Sequence, residues 1–217
     1  MAGAENGGAE EFFMRLAPAI SRTNIDQQII LRKHAGRRSR LESAGVAVIE
    51  TPFGGLMDFT TKLIIRRQID NFKPDLVLAW MNRAARYCPA GSHTLVARLG
   101  GYYDLKYYRH CDHLICNTAD IRRYLIDQGW PETRAWHIPN FVNGKRENAI
   151  CRNHFETPMD APLLLALGRL HENKAFDALI AALADIPNAF LWIAGDGPLE
   201  EYLRKQAFQS GVDKRVR

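Results

Sequence analysis

Short apolar runs alternate with amphipathic helical segments along nearly the whole chain, and most runs end in a turn containing glycine, asparagine or proline. Residues 75–81 read as a continuous apolar strand, the kind covered on both faces inside a parallel sheet. Shorter strands are predicted at 28–31, 46–49, 93–99 and 113–116. Helices are predicted at 9–22, where Phe12, Phe13, Leu16, Ala17 and Ile20 form one stripe, and at 56–72 with Leu63, Ile64 and Ile69 buried. Two more are predicted at 102–109, rich in tyrosine, and at 119–128. Repeated strand–helix units imply right-handed crossovers, so the fold class is α/β with a doubly wound sheet. Such a domain should open on its central strand. Residues 1–10 read instead as a loop leading into a helix, so that strand is expected to be missing.

Between 141 and 161 the pattern lapses into Asn, Lys, Glu and Pro, which marks the expected domain boundary. Strands at 163–167 and 189–194 and helices at 173–184 and 199–209 then begin a second unit. It stops at Val216-Arg217, where another strand should start. Two strands and two helices bury little surface, so this unit is expected to be truncated.

The basic excess is uneven: residues 1–150 carry 21 Lys+Arg against 15 Asp+Glu, and residues 151–217 carry 8 against 9. A basic first half suits an anionic partner, whether a phosphorylated or lipid-linked substrate, an acidic membrane surface or nucleic acid; it also suits a merely solvated surface. Four cysteines do not make a disulfide framework in a chain of this size. There is no signal peptide and no apolar run long enough to span a bilayer, so a cytosolic protein touching the inner membrane face is expected.

Several turns can carry chemistry. Gly7 and Gly8 at a helix start let backbone approach a ligand and favour an anion, although such a loop is equally a tight turn. Arg169 and Lys174 follow a buried strand, the edge at which open α/β sheets bind ligands, and could converge on a diphosphate or simply be solvated. Gly195 and Gly197 with Pro198 make a strand-to-helix turn that could also admit a nucleotide. Asn140 after Pro139 can cap or contact a ligand, and Asn117-Thr118 most simply caps a helix. Asn82 and Arg83 close the apolar strand 75–81 as candidate acceptor contacts, while Tyr102, Tyr103, Tyr107 and Tyr108 could stack on sugar or pack internally. The run His110 to Cys116 has too few well-spaced ligands for a zinc site.

Taken together, these segments resemble the family 4 glycosyltransferases of the GT-B fold. The resemblance rests on Gly7-Gly8-Ala9-Glu10, Cys116-Asn117-Thr118-Ala119 and Ile138-Pro139-Asn140-Phe141-Val142-Asn143 in the first half. In the second it rests on Leu167-Gly168-Arg169-Leu170 with Lys174-Ala175-Phe176-Asp177, and on Ile193-Ala194-Gly195-Asp196-Gly197-Pro198. Their order and spacing make the set specific. The resemblance implies an acceptor-side Rossmann-like domain over 1–145 and part of a nucleotide-sugar-binding Rossmann-like domain over 160–217, with a cleft between them. It implies sugar transfer with retention of configuration and without metal or other cofactor. Arg169 and Lys174 would be catalytic, holding the donor diphosphate. Gly7, Gly8, Gly168, Gly195, Gly197 and Asn140 would contact the donor, and Asn82 and Arg83 the acceptor. Partners would be a nucleotide-sugar, a carbohydrate or lipid-linked acceptor of the lipopolysaccharide or polysaccharide class and an anionic membrane, but no nucleic acid. Three departures stand out. The family's paired glutamates would fall beyond Arg217, the first strand is missing before Gly3, and Gly100-Gly101 stands where many members carry histidine; Ala175 in place of glycine is a mild change. The chain as it stands is therefore expected to bind donor poorly. The alternatives are a non-catalytic nucleotide-binding fragment or interaction module, and an oxidoreductase, which the lack of a G-x-G-x-x-G disfavours.

Overall fold

A computed structural model describes residues 1–3, 7–54, 58–142, 144, 146 and 148–217. Asn6, Leu56, Asn143 and Lys145, which bear on the readings above, lie outside the described residues. The chain divides into two compact units, Met1–Asn143 and Gly144–Arg217.

In the first unit, strands β1 (Ile29–Arg32) and β2 (Val48–Thr51) pair in parallel, and β3 (Leu76–Trp80), β4 (Thr94–Leu99), β5 (His113–Cys116) and β6 (Ala135–His137) form a parallel four-stranded sheet in that order. Helices α1 (Gly8–Ile20), α2 (Ala35–Ser43), α3 (Phe59–Phe72), α4 (Met81–Tyr87) and α5 (Ala119–Asp127) connect them. Residues 1–3 form no regular strand, as expected, but Met1 is bonded to β1. The Met1 ammonium donates to the Ile30 carbonyl at 2.7 Å and the Arg32 N–H donates to the Met1 carbonyl at 2.9 Å. Met1 and Ala2 are buried, in two different apolar clusters. Met1 thus pairs beside Leu31 as a parallel strand would.

Three expectations need correction. The tyrosine-rich helix is only a single 3₁₀ turn, Leu105–Tyr107, with Tyr108 fully buried and Tyr102 exposed. Two glycines precede it, and the chain lacks the repeated apolar stripe that would hold a longer helix against the sheet. Leu63 is exposed on α3, whose inner face is built from Thr61 and Ile65. Helix α2 was not anticipated, because it buries a single apolar residue, Leu41, among four charged ones and so carries almost no apolar period.

The second unit contains β7 (Leu163–Leu167), α6 (Phe176–Ala184), β8 (Phe190–Ala194) and α7 (Glu200–Gln209). β7 and β8 are parallel, and Val216 forms a parallel bridge with Leu191 of β8. Phe176, Ile180, Leu183, Leu191, Leu203 and Val212 are at the centre of its core.

Candidate functional site

In the second unit the predicted residues are brought together where β7 and β8 end. The Gly168 N–H donates to the Ala194 carbonyl at 3.0 Å, that of Leu170 to Asp196 at 2.7 Å, and that of Leu199 to Leu170 at 3.2 Å. These bonds hold the two post-strand turns backbone to backbone, and the glycines follow from that closeness. A Cβ on Gly195 would lie 1.9 Å from the Gly168 carbonyl oxygen, and one on Gly197 would lie 2.4 Å from that of Leu170. Gly195 and Gly197 therefore have a structural reason to be glycine, whatever they contact. Gly168 has φ +156, and the Lys174 side chain lies over it, its Cε 3.6 Å from where a Cβ would stand.

Arg169 sits between the two pinned residues Gly168 and Leu170, and Lys174 ends the 3₁₀ turn Glu172–Lys174 that leads into α6. Both are exposed, and among the described residues neither forms an ion pair. Elsewhere arginines commonly find carboxylates, as Arg204 does with Glu200 at 2.8 Å and Arg122 with Glu132 at 3.0 Å. Two unneutralised cations beside close-packed backbone at a strand's C-terminal end can hold a phosphate, the arginine through a fork and the lysine as a point charge. Ala175, directly after Lys174, has φ +50, a backbone conformation that favours glycine.

The first unit assembles a different group. Gly7 caps α1 with extended backbone, and Gly8 opens the helix with nothing within 4 Å of its missing Cβ. The space at Gly7 is already taken. The buried Glu10 carboxyl would lie 2.3 Å from a Cβ on Gly7 and 1.9 Å from one on Gly3. A second anion at Gly7 would compete with it for the helix N-terminus; only Gly8 is open to one. Asn82 and Arg83 follow the end of β3, as expected, and there form the first turn of α4, after Met81 turns the chain through φ +65. Asn82 Oδ1 accepts the Arg83 N–H at 2.8 Å, and Arg83 is exposed.

Asn140 is held by a residue that sequence reasoning missed. Arg98, buried at the end of β4, donates to Asn140 Oδ1 at 2.7 Å and to the Ile138 carbonyl at 3.0 Å. Its guanidinium lies 4.8 Å from the Phe12 ring centre and 5.6 Å from that of Trp80. Burial lowers its pKa. The signal was present: a lone arginine inside the apolar run 94–99 is costly unless it is partnered. The metal reading fares differently. His110 Nε2 is 2.9 Å from the Ala85 carbonyl and Trp136 donates to His113 Nδ1 at 3.1 Å. Among the described residues no three His, Cys, Asp or Glu are grouped to hold a metal ion.

Residues 6–146 match the family model "Glycosyltransferase Family 4", and residues 147–217 match "Glycosyl transferases group 1". The lipopolysaccharide core biosynthesis glycosyltransferase LpsE of Rhizobium meliloti is 36% identical over 222 residues, which cover 98% of this chain and 63% of that protein. The chain thus spans somewhat less than two thirds of that relative. A glycosyltransferase structure from Rickettsia africae superposes with a TM-score of 0.82 at 14% identity, covering 100% of this chain and 65% of that one. Anabaena HepE in complex with UDP-glucose superposes with a TM-score of 0.77 at 17% identity, covering 100% and 66%. At these identities the two structures establish a shared fold, the GT-B architecture.

Proposed function

The chain belongs to glycosyltransferase family 4, and from that premise we propose that it moves a sugar, with retention of configuration, from a nucleotide-sugar to a carbohydrate or lipid-linked acceptor of the lipopolysaccharide class. One observation carries the proposal: Arg169 and Lys174 are exposed and, among the described residues, form no ion pair beside the pinned turns that end β7 and β8. A diphosphate leaving group gains negative charge as the glycosidic bond breaks while the sugar becomes oxocarbenium-like. Cations fixed against the departing oxygens therefore stabilise the transition state more than the ground state. The two side chains supply that counter-charge themselves, so the proposal assigns no metal or other cofactor. Gly168 gives the phosphate an approach beside Lys174, Gly195 and Gly197 keep the turns close, and Gly8 leaves the start of α1 open. Asn140, set by Arg98, is proposed as a donor contact of the first unit, and Asn82 and Arg83 as acceptor contacts. Relatives of lipopolysaccharide assembly and a neighbour crystallised with UDP-glucose support this reading. The enzyme would work on the cytosolic side, in peripheral contact with the membrane that carries its acceptor, without a nucleic-acid partner.

The test is calorimetric titration of UDP- and GDP-sugars into the protein at the length of its relatives, followed by a transfer assay. Binding of one donor is expected. Arg169→Ala and Lys174→Ala should each lower kcat by about 10²- to 10³-fold, the usual loss for a group that stabilises developing charge. Full activity in both variants, or no donor binding at all, sinks the proposal. Donor binding without transfer would favour the non-catalytic nucleotide-binding alternative.

A further inference from the structure

Helix α3 turns one side toward Thr61 and Ile65 and leaves the other to solvent. On the solvent side Phe59 and Leu63 are 77% and 70% exposed, values unusual for large apolar residues at successive turns of one helix. Lys62, Arg66 and Arg67 share that side by helical spacing, since positions 59, 62, 63, 66 and 67 fall within one stripe. All three cations are exposed, and among the described residues none forms an ion pair. By contrast, Arg38 and Arg40 of the neighbouring α2 are both bound to carboxylates. The single acidic residue on the stripe, Asp70, sits at its far end.

We infer that this stripe of α3 docks on the surface of an anionic lipid bilayer, with Phe59 and Leu63 entering the headgroup boundary and Lys62, Arg66 and Arg67 meeting lipid phosphates. From Phe59 to Arg67 the stripe is about 12 Å long at 1.5 Å per residue, enough to lie along the interface and far too short to cross it. Among the described residues no helix is long and apolar enough to cross a membrane. A protein partner fits less well. A stable protein interface wants a desolvated apolar centre with charge kept at its rim, and here three unpaired cations intersperse with only two apolar side chains. Lipid headgroups accept that mixture: the apolar tips enter a shallow boundary, and the long cationic side chains stretch toward phosphate.

The inference extends the membrane-contact part of the proposed function. It is read without donor or acceptor, so its failure leaves the transferase assignment standing. The experiment is co-sedimentation of the protein with phosphatidylcholine vesicles, with and without phosphatidylglycerol. Binding is expected only to the phosphatidylglycerol vesicles and should fall as salt is raised. Each cation near such a surface contributes a factor of about 5, so Lys62→Gln/Arg66→Gln/Arg67→Gln should weaken binding on the order of 100-fold. Phe59→Ser/Leu63→Ser should weaken binding to the phosphatidylglycerol vesicles at every salt concentration, and unchanged binding by this pair overturns the apolar half of the inference. Both sets lie on an exposed face, so unchanged circular dichroism is expected and shows that the variants fold. Equal binding to neutral vesicles, no vesicle binding, or undiminished binding by the triple variant overturns the inference. A Lys205→Gln variant, altering an exposed cation on α7 of the other unit, should bind as the parent does.

Discussion

Ala175 lies at φ +50 directly after Lys174, and an L-residue with a Cβ pays for the left-handed conformation that glycine adopts freely. Ala175→Gly should therefore raise stability by about 1 kcal/mol, read as a higher urea midpoint with an unchanged slope. The same comparison runs the other way at Gly195. An added methyl would meet the Gly168 carbonyl oxygen at 1.9 Å, and backbone on both sides cannot move aside as a flexible side chain can. Gly195→Ala should cost about 3 kcal/mol and pull the two turns apart, so donor binding should weaken along with stability. A Gly195→Ala protein as stable as the parent would show that the turns are not pinned as described. The exposed positions of Arg169 and Lys174 beyond β7 were legible in the sequence because a cation after a strand's glycine turn stays in solvent. Glu10 and Arg98 were not, because their roles depend on contacts with Gly7 and Asn140, which are distant in sequence or hidden by a turn.

Elements bounded by hard punctuation were read closely. β5 and β7 have the predicted limits, because a continuous apolar run ends at Asn117 in one case and at Gly168 in the other. α6 begins at Phe176, three residues later than predicted, because the turn at Glu172–Lys174 and the left-handed Ala175 come first. Periodicity alone cannot separate a 3₁₀ turn from the first turn of an α-helix. The start of α3 is set by Asp58, whose carboxylate accepts from Thr61 N–H at 3.0 Å, Gly54 N–H at 2.6 Å and the Thr60 hydroxyl at 2.7 Å. The Thr61 hydroxyl and amide first, then Thr60 and Gly54, hold this carboxyl well below the usual carboxylate range. A depressed carboxyl pKa adds stability above the unfolded value near 4, and that stability is lost as pH falls toward the folded value. Asp58→Asn keeps the cap's shape but not its charge. The variant should be less stable than the parent at neutral pH, and the difference should shrink below about pH 4 as the parent's carboxylate loses its advantage. A constant difference from pH 7 to pH 2 would show that the cap does not act through its charge.

Across the whole molecule the two units differ in what they leave open. The first carries the basic excess and the exposed stripe of α3. The second has a two-stranded sheet with α6 and α7 packed on one face and Phe155 against Trp192 on the other. Ala166, Leu191 and Ile193 turn toward α6 and α7, whereas Leu165 and Leu167 of β7 are 60% and 68% exposed. Among the described residues these two leucines are more than half exposed, so their apolar surface contributes little to stability and favours self-association. Among the described residues β7 is paired with β8 alone and presents unpaired backbone groups along its other side. Threonine keeps the branched Cβ that suits a strand while removing most of the apolar surface. Leu165→Thr/Leu167→Thr should thus move the protein toward monomer in sedimentation velocity and lower its binding of a hydrophobic dye, while the urea midpoint changes little. If the pair instead costs 2 kcal/mol or more, the usual penalty for truncating buried leucine, then those side chains are covered in solution and the open face is not open.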